Sequence, residues 1–283
     1  MYLTEMSMLK TQIAIDPEAR CSNKLDYHYY GPNDNINDTM YEAFESGEPV
    51  IIDGHTVDGI DMDYYSNLPE WYTQENAWVK PWYLSDLKRE PMPASEKDMG
   101  LDGEAFLKRH RKDQKHWDTF FDQCFPKYTV NARMLSHRYN QLVQNNLHLD
   151  LPDEEHTGND HQIRMFLNLD RKKPRILAFS YSVEQYFRLY YDEKSLDQLD
   201  KTNYHSFIKE LRDRCIWNAD KWDQFHLPRH YITFPPGSMW FFNAQWISHQ
   251  IIFGNKLQCY EADIEVDSLQ FPELGVPNRI AQL

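Results

Sequence analysis

Long apolar runs are missing from this 283-residue chain: no stretch approaches the ~18 apolar residues that a membrane-spanning helix requires. Its opening residues, MYLTEMSMLKTQIAIDPEAR, lack the charged start, apolar stretch and small-residue cleavage site of a secretory signal. Cysteine is scarce and unpaired in sequence: Cys21, Cys124, Cys215 and Cys259 form no CxxC motif, as expected of inert thiols in a reducing compartment. Positive charge is short as well. Thirty Lys and Arg against 44 Asp and Glu leave a formal charge of −14, a poor match for nucleic acid, which is bound largely through phosphate neutralisation. Repeats and low-complexity tracts are absent too. These gaps predict a cytoplasmic protein with no nucleic-acid partner. Two small basic clusters, KRHRKDQK from Lys108 and RKKPR from Arg171, leave room for peripheral contact with the inner face of a membrane.

What the chain does have is material for a core. Apolar residues make up 41% and aromatics 14%, which excludes a disordered acidic tail. The length suffices for a large domain without disulfide staples. Residues 34–46 read as a short helix stopped by Gly47, with PVIID as a strand behind it. The stretch from Gly103 to Phe121 reads as a helix burying Phe106, Leu107, His110, Trp117, Phe120 and Phe121. After Pro126 the character changes to short β-branched and aromatic segments separated by turn signals: YTVNARML, NNLHLDL, HQIRMFLNL, RILAFSYS, HYITF, SMWFF, WISHQIIF and KLQCYEADIEV. The expected fold is mainly β with helical cladding, a double-sheet jelly roll or cupin-type barrel. A helical and irregular region over residues 1–125 would pack on a β core over 126–283, which a helical insert at about 183–222 interrupts. That insert and the aromatic-rich segment 55–83 are candidate lids, or plain cladding.

NNLHLDL carries the sharpest chemistry. In an extended segment Asn146, His148 and Asp150 share one face, and Leu147, Leu149 and Leu151 the other. An imidazole and a carboxylate so placed can chelate one ion. A second histidine from a distant strand would complete a 2-His-1-carboxylate triad, which leaves open positions on one side of Fe(II). His249 in WISHQIIF, 99 residues after Asp150, is the preferred third ligand, with His226 and His230 as competitors. A second HxD, His116-Trp117-Asp118, falls inside the expected helix, where side chains at i and i+2 diverge and cannot share an ion. On HQIRMFLNL, alternation sets Gln162, Arg164, Phe166 and Asn168 against Ile163, Met165, Leu167 and Leu169. If the apolar set packs outward, Arg164 points inward, where an unpaired cation is costly, so an anion is expected there. A co-substrate dicarboxylate is one candidate and a structural acid is the other. Lys256 is the runner-up anchor.

His148-x-Asp150, the distal His249 and a basic residue on the strand after HxD together resemble the Fe(II)/2-oxoglutarate-dependent dioxygenases. The resemblance implies a double-stranded β-helix in which Fe(II) sits on His148, Asp150 and His249. It also implies that Arg164, with Asn168 near it, binds 2-oxoglutarate, that dioxygen is consumed and that succinate and CO2 are released. The intact Asp150 implies hydroxylation of an unactivated C–H rather than halogenation. A narrower resemblance is to the bacterial hydroxylases of 3-deoxy-D-manno-oct-2-ulosonic acid (Kdo), through LHLDLP, IRMFLNLD and FPPGSMWFFNAQWISHQIIFG. It implies a saccharide substrate and makes Asn131, Arg133 and Arg138 candidate substrate contacts, although the spacing before LHLD departs from that family. The same chemistry on a free amino acid, peptide or natural product, and a non-catalytic metal-binding cupin, are the other two expectations.

Overall fold

The computed structural model describes residues 11–14, 25–31, 33–34, 40–68, 103–139, 146–152, 160–217, 227–254 and 256–283. The aromatic run 71–83, His226, the first part of the helix expected over 34–46 and the end of the insert lie outside them. The strands are β1 (Gln12–Ala14), β2 (His28–Tyr30), β3 (Val50–Ile52), β4 (Val130–Tyr139), β5 (Asp160–Asn168), β6 (Arg175–Ser182), β7 (His230–Phe234), β8 (Met239–Phe242), β9 (Ile247–Phe253) and β10 (Lys256–Glu265). The helices are α1 (Met40–Glu45), α2 (Met62–Asn67), α3 (Gly103–Cys124), α4 (Val183–Tyr190), α5 (Tyr204–Cys215) and α6 (Val276–Gln282). No helix among the described residues is long and apolar enough to cross a membrane.

The strands form two sheets, one ordered β1-β7-β6-β9 and the other β2-β3-β8-β5-β10-β4. Pairing is antiparallel throughout, except between β2 and β3. Strand alternation explains how they pack. Leu177, Phe179, Ile232, Phe234, Ile247 and Ile251 from the smaller sheet meet Phe166, Trp240, Phe242, Leu257 and Cys259 from the larger in one buried cluster. Ring contacts cross the interface, with Phe234 stacked on Trp240 at 4.1 Å and Phe179 edge-on to Phe242 at 5.0 Å. The opposite side of β5, with Ile163, Met165 and Leu167, packs on α1 and α3. The apolar set of β5 therefore faces outward and Arg164 inward.

Strands β1, β2 and β3 come from the N-terminal region and extend both sheets, which the sequence showed only for β3. Gly47 separates α1 from β3 with φ +75°, and an added Cβ would press on Trp246 and Asn243. The long helix α3 buries Phe106, His110, Asp113, Trp117 and Phe121 at helical spacing. Beneath it lies a buried polar network. Gln258 donates to Asp113 (2.7 Å), accepts from the Trp117 indole (3.0 Å) and lies 2.9 Å from His137 Nε2, while the Tyr65 hydroxyl also donates to Asp113. Burial pushes the Asp113 carboxyl above its usual range and His137 well below its own.

Both basic clusters sit on this helix-clad side. Arg109 pairs with Asp61 at 2.9 Å and stacks on Tyr64, and Arg171 pairs with Asp63 at 2.8 Å, so the acids of α2 and its cap engage an arginine from each. Lys256 also faces this way. Its ammonium donates to the carbonyls of Ser66 and, at 2.7 Å, of Leu68, closing the C-terminal end of α2.

His161, on the outer face of β5, accepts from the Val276 backbone N–H at 3.3 Å and is fully buried. Burial, with Arg279 nearby, pushes its imidazole from 6.5 down to about 4. The unfolded chain therefore takes up this proton first on acidification. The stability His161 confers is complete above 6.5 and is lost as pH falls toward 4. Each pH unit in that window costs about 1.4 kcal/mol for this group. In urea unfolding at pH 7 and pH 5, His161→Gln should lose about 1–2 kcal/mol less stability than the parent. Equal losses would mean that the folded protein holds a charged His161.

Candidate metal centre

The segment NNLHLDL does not form a strand of its own. It meets β9 in a single antiparallel bridge: His148 N–H donates to His249 O at 3.1 Å, and His249 N–H donates back at 2.9 Å. Two residues on, Asp150 N–H donates to Ala244 O at 2.9 Å. Alternation still holds, because Leu147 and Leu149 bury in a separate cluster with α4, α5 and Trp246. His148 and Asp150 are thereby left pointing the other way. The ladder stops short because Asp150, the next residue to donate on that side, bonds Ala244 in the turn before β9 and not β9 itself.

This bridge brings together residues about a hundred apart in sequence. One donor atom from each of His148, Asp150 and His249 lies within 4.8 Å of the others. The two imidazole rings are 4.5 Å apart, and His148 Nε2 is 3.3 Å from Asp150 Oδ1. Each imidazole has its Nδ1 on a backbone carbonyl two residues earlier, His148 on Asn146 O at 2.8 Å and His249 on Ile247 O at 3.2 Å. A carbonyl only accepts, so Nδ1 carries the proton and Nε2 keeps its lone pair for an ion. Burial, reinforced by His148, pushes His249 down to about 3, so it stays neutral and ready to ligate. Burial would raise the Asp150 carboxyl. The Arg164 guanidinium beside it outweighs this and holds it well below the usual carboxylate range. Two imidazoles and an ionised carboxylate fit a divalent first-row metal such as Fe(II).

Arg164 belongs to this cluster. Its Nη1 donates to Asp150 Oδ2, and its Nε donates to Gln162 Oε1 at 2.8 Å and lies 3.1 Å from Glu261 Oε2. Glu261 stands directly across from Arg164 in the β5–β10 register. Its inward aim follows from the same alternation that places Leu257 and Cys259 inside, a pattern the mixed segment KLQCYEADIEV obscures.

Other expected site residues lie elsewhere. Asn168 is four positions along β5 from Arg164, roughly 13 Å away. Its amide donates to Lys173 O and Pro235 O, at 3.1 and 3.2 Å, and accepts from Asp170 N–H, so it fastens the turn into β6. Arg133 pairs with Asp122 on α3 and lies over Phe121, on the outer face of the sheet. Asn131 donates to Asp160 at the exposed edge. The structure brings none of these three to the triad. Arg138 pairs with Leu257 through its backbone, and its side chain is outside the described set. Lys256 lies on the outer face of β10, away from the cluster. His230 is separated from His249 by Phe179, two strand spacings or about 10 Å across the smaller sheet. The pair His116/Asp118 is on α3, as expected.

A clamp around the HxD segment has no signature in the local pattern. His205 Nδ1, on α5, lies 2.7 Å from Pro152 O, and the indole of Trp217, two residues past its end, donates to Leu147 O at 3.3 Å, so α5 and its C-terminal exit grip both sides of His148–Asp150. Tyr204 adds a 2.6 Å hydrogen bond to Gln245, in the turn before β9. Removing one such bond costs about 1 kcal/mol, or about fivefold in an equilibrium. His205→Ala and Trp217→Phe should each weaken cobalt(II) binding by about that factor in calorimetric titration. Unchanged affinity in both would show that α5 only covers the segment.

No family model matches the chain, and no curated protein does. Solved structures do. The chain is similar to the apo structure of the Kdo hydroxylase KdoO, described as a non-heme Fe(II) alphaketoglutarate dependent dioxygenase, with a TM-score of 0.64 and 16% identity. It is equally similar to the same enzyme in complex with alphaketoglutarate and Fe(III), and in complex with cobalt(II), each with a TM-score of 0.65 and 16% identity. Every one of these alignments covers 90% of this chain and 94% of the other. At that identity the likeness is one of fold, and it runs through nearly the whole of both molecules.

Proposed function

We propose that this protein is an Fe(II)- and 2-oxoglutarate-dependent dioxygenase that hydroxylates an unactivated C–H. On this reading its two sheets are those of a double-stranded β-helix, with residues 126–283 as the core and 1–125 as cladding. One observation carries the proposal. His148, Asp150 and His249 converge with both Nε2 lone pairs available, and a cation, Arg164, stands beside the carboxylate. The fold shared with KdoO supports it. When bound, Fe(II) with 2-oxoglutarate and dioxygen supplies the oxidant, and the co-substrate leaves as succinate and CO2.

The chain's own residues do the rest. His148 and His249 hold their protons on Nδ1, so neither needs to lose one to ligate. Asp150, ionised well below the usual range, gives the negative charge that a divalent ion requires. Arg164 is the basic group on the inner face beside the triad and would take the far carboxylate of the co-substrate through a bidentate pair. The apolar layer of Phe166, Phe242 and Ile251 excludes water from the interior next to His249. Because KdoO is a Kdo hydroxylase, a Kdo-type saccharide is the substrate class we favour. Free amino acids, peptides and natural products are the alternatives, and succinate release is what separates all of them from a non-catalytic metal-binding role.

Anaerobic addition of Fe(II) and 2-oxoglutarate should produce a metal-to-ligand absorption band, and admission of oxygen should release succinate. His249→Ala should lose both, with succinate formation down on the order of 100-fold or more. A variant that kept the band would place the distal ligand elsewhere, and a parent that bound metal without making succinate would be a binding protein. Kdo-bearing lipid A precursors should speed succinate release about tenfold or more over the uncoupled rate, by the usual gain from a positioned substrate. No stimulation by any Kdo saccharide would remove that substrate class and leave the iron chemistry intact.

A further inference from the structure

Arg164 and a metal ion would claim the same carboxylate. Asp150 is the sole acid of the triad, and the Arg164 Nη1 already donates to its Oδ2. The far side of the guanidinium is held as well, with Nε 3.1 Å from Glu261 Oε2 and 2.8 Å from Gln162 Oε1. Both side chains of the Arg164–Glu261 pair are about nine-tenths buried, at 11% and 9% exposure, so neither charge has water as a ready alternative. Their strands are locked in register, which fixes the distance over which the guanidinium can move.

We propose that Arg164 and the metal ion are alternative counter-ions of Asp150. Glu261 is then the positioning residue that keeps the displaced guanidinium beside the site. This rests on the metal reading of the triad above. Without metal, Arg164 neutralises the Asp150 carboxylate that it contacts. A divalent ion on Asp150 repels the nearby guanidinium at close range, in surroundings that screen poorly. Held at Nε by Glu261 and Gln162, the guanidinium pivots instead of leaving, and its terminal nitrogens become available to an incoming carboxylate. Loading is therefore ordered, metal before dicarboxylate. Glu261 also weakens the grip of Arg164 on Asp150 by sharing it.

The two residues then affect metal affinity in opposite directions, which no purely structural role predicts. Cobalt(II) is titrated into the full chain without co-substrate and read by calorimetry and by the visible cobalt band. Arg164→Met removes the competitor and should bind cobalt about tenfold tighter than the parent, the scale of one charge-assisted hydrogen bond. Glu261→Gln keeps the shape, removes the charge that competes with Asp150 for Arg164 and should bind cobalt several-fold more weakly. Adding 2-oxoglutarate should shift the cobalt band in the parent and in Glu261→Gln, and leave it unmoved in Arg164→Met. Equal or weaker binding by Arg164→Met, or unchanged binding by Glu261→Gln, overturns the exchange while the metal site stands. If Arg164→Met does not fold, the Glu261→Gln result decides. A parent that fails to bind cobalt overturns the exchange and the metal reading together.

Discussion

The pair of backbone hydrogen bonds between His148 and His249 is the constraint on which the rest of the centre depends. A 2-His-1-carboxylate set needs residues from distant parts of the chain within a few ångströms, and here a single bridge supplies that closeness. It fixes both imidazoles at once, because each Nδ1 bonds a carbonyl of its own segment. Rotation of either ring would cost the hydrogen bond that sets its tautomer. The bridge in turn relies on burial on both sides. Leu147 and Leu149 anchor one flank among α4 and α5, while Ile247 and Ile251 anchor the other between the sheets.

Burial of apolar neighbours thus orients the polar cluster, and the same principle decides what could be read from the sequence. NNLHLDL and HQIRMFLNL each present a clean alternation, and the faces they imply for His148, Asp150 and Arg164 are those the fold adopts. WISHQIIF is apolar nearly throughout, yet its lone imidazole on the inward face was legible because nothing else there could satisfy it. The resemblance to the Kdo hydroxylases was legible for the same reason, since LHLDLP and IRMFLNLD, which carry it, lie on these segments.

What escaped notice did so for physical reasons. Glu261 and Lys256 lie on one strand with no simple apolar period, because β10 is the central neighbour of both β4 and β5 and is buried on both faces. Without alternation to read, the outward aim of Lys256 and the inward aim of Glu261 were both invisible. Asn168 shares a face with Arg164 but sits where the strand ends, and there the turn's unpaired backbone groups claim its amide. Arg133 was drawn to acids on α3, a helix that sequence reasoning placed correctly but could not dock. The clamp by His205 and Trp217 depends wholly on how the insert folds back over the HxD segment, which no local pattern encodes.

The net charge of −14 has a different meaning in the folded chain. Acids of α2 and its cap take up Arg109 and Arg171, one arginine from each basic cluster. At the centre the balance is local: Arg164 stands against Asp150 and Glu261, with Asp263 two residues further along β10, on the same face as Glu261. A single cation between two acids gains little from a third anion. If Arg164 and a metal ion exchange on Asp150 as proposed, a dicarboxylate binds Arg164 well only after the cation has taken over Asp150. The acidity that weighs against casual binding of polyanions over the surface thus acts inside the site as a condition on the order in which its ligands arrive.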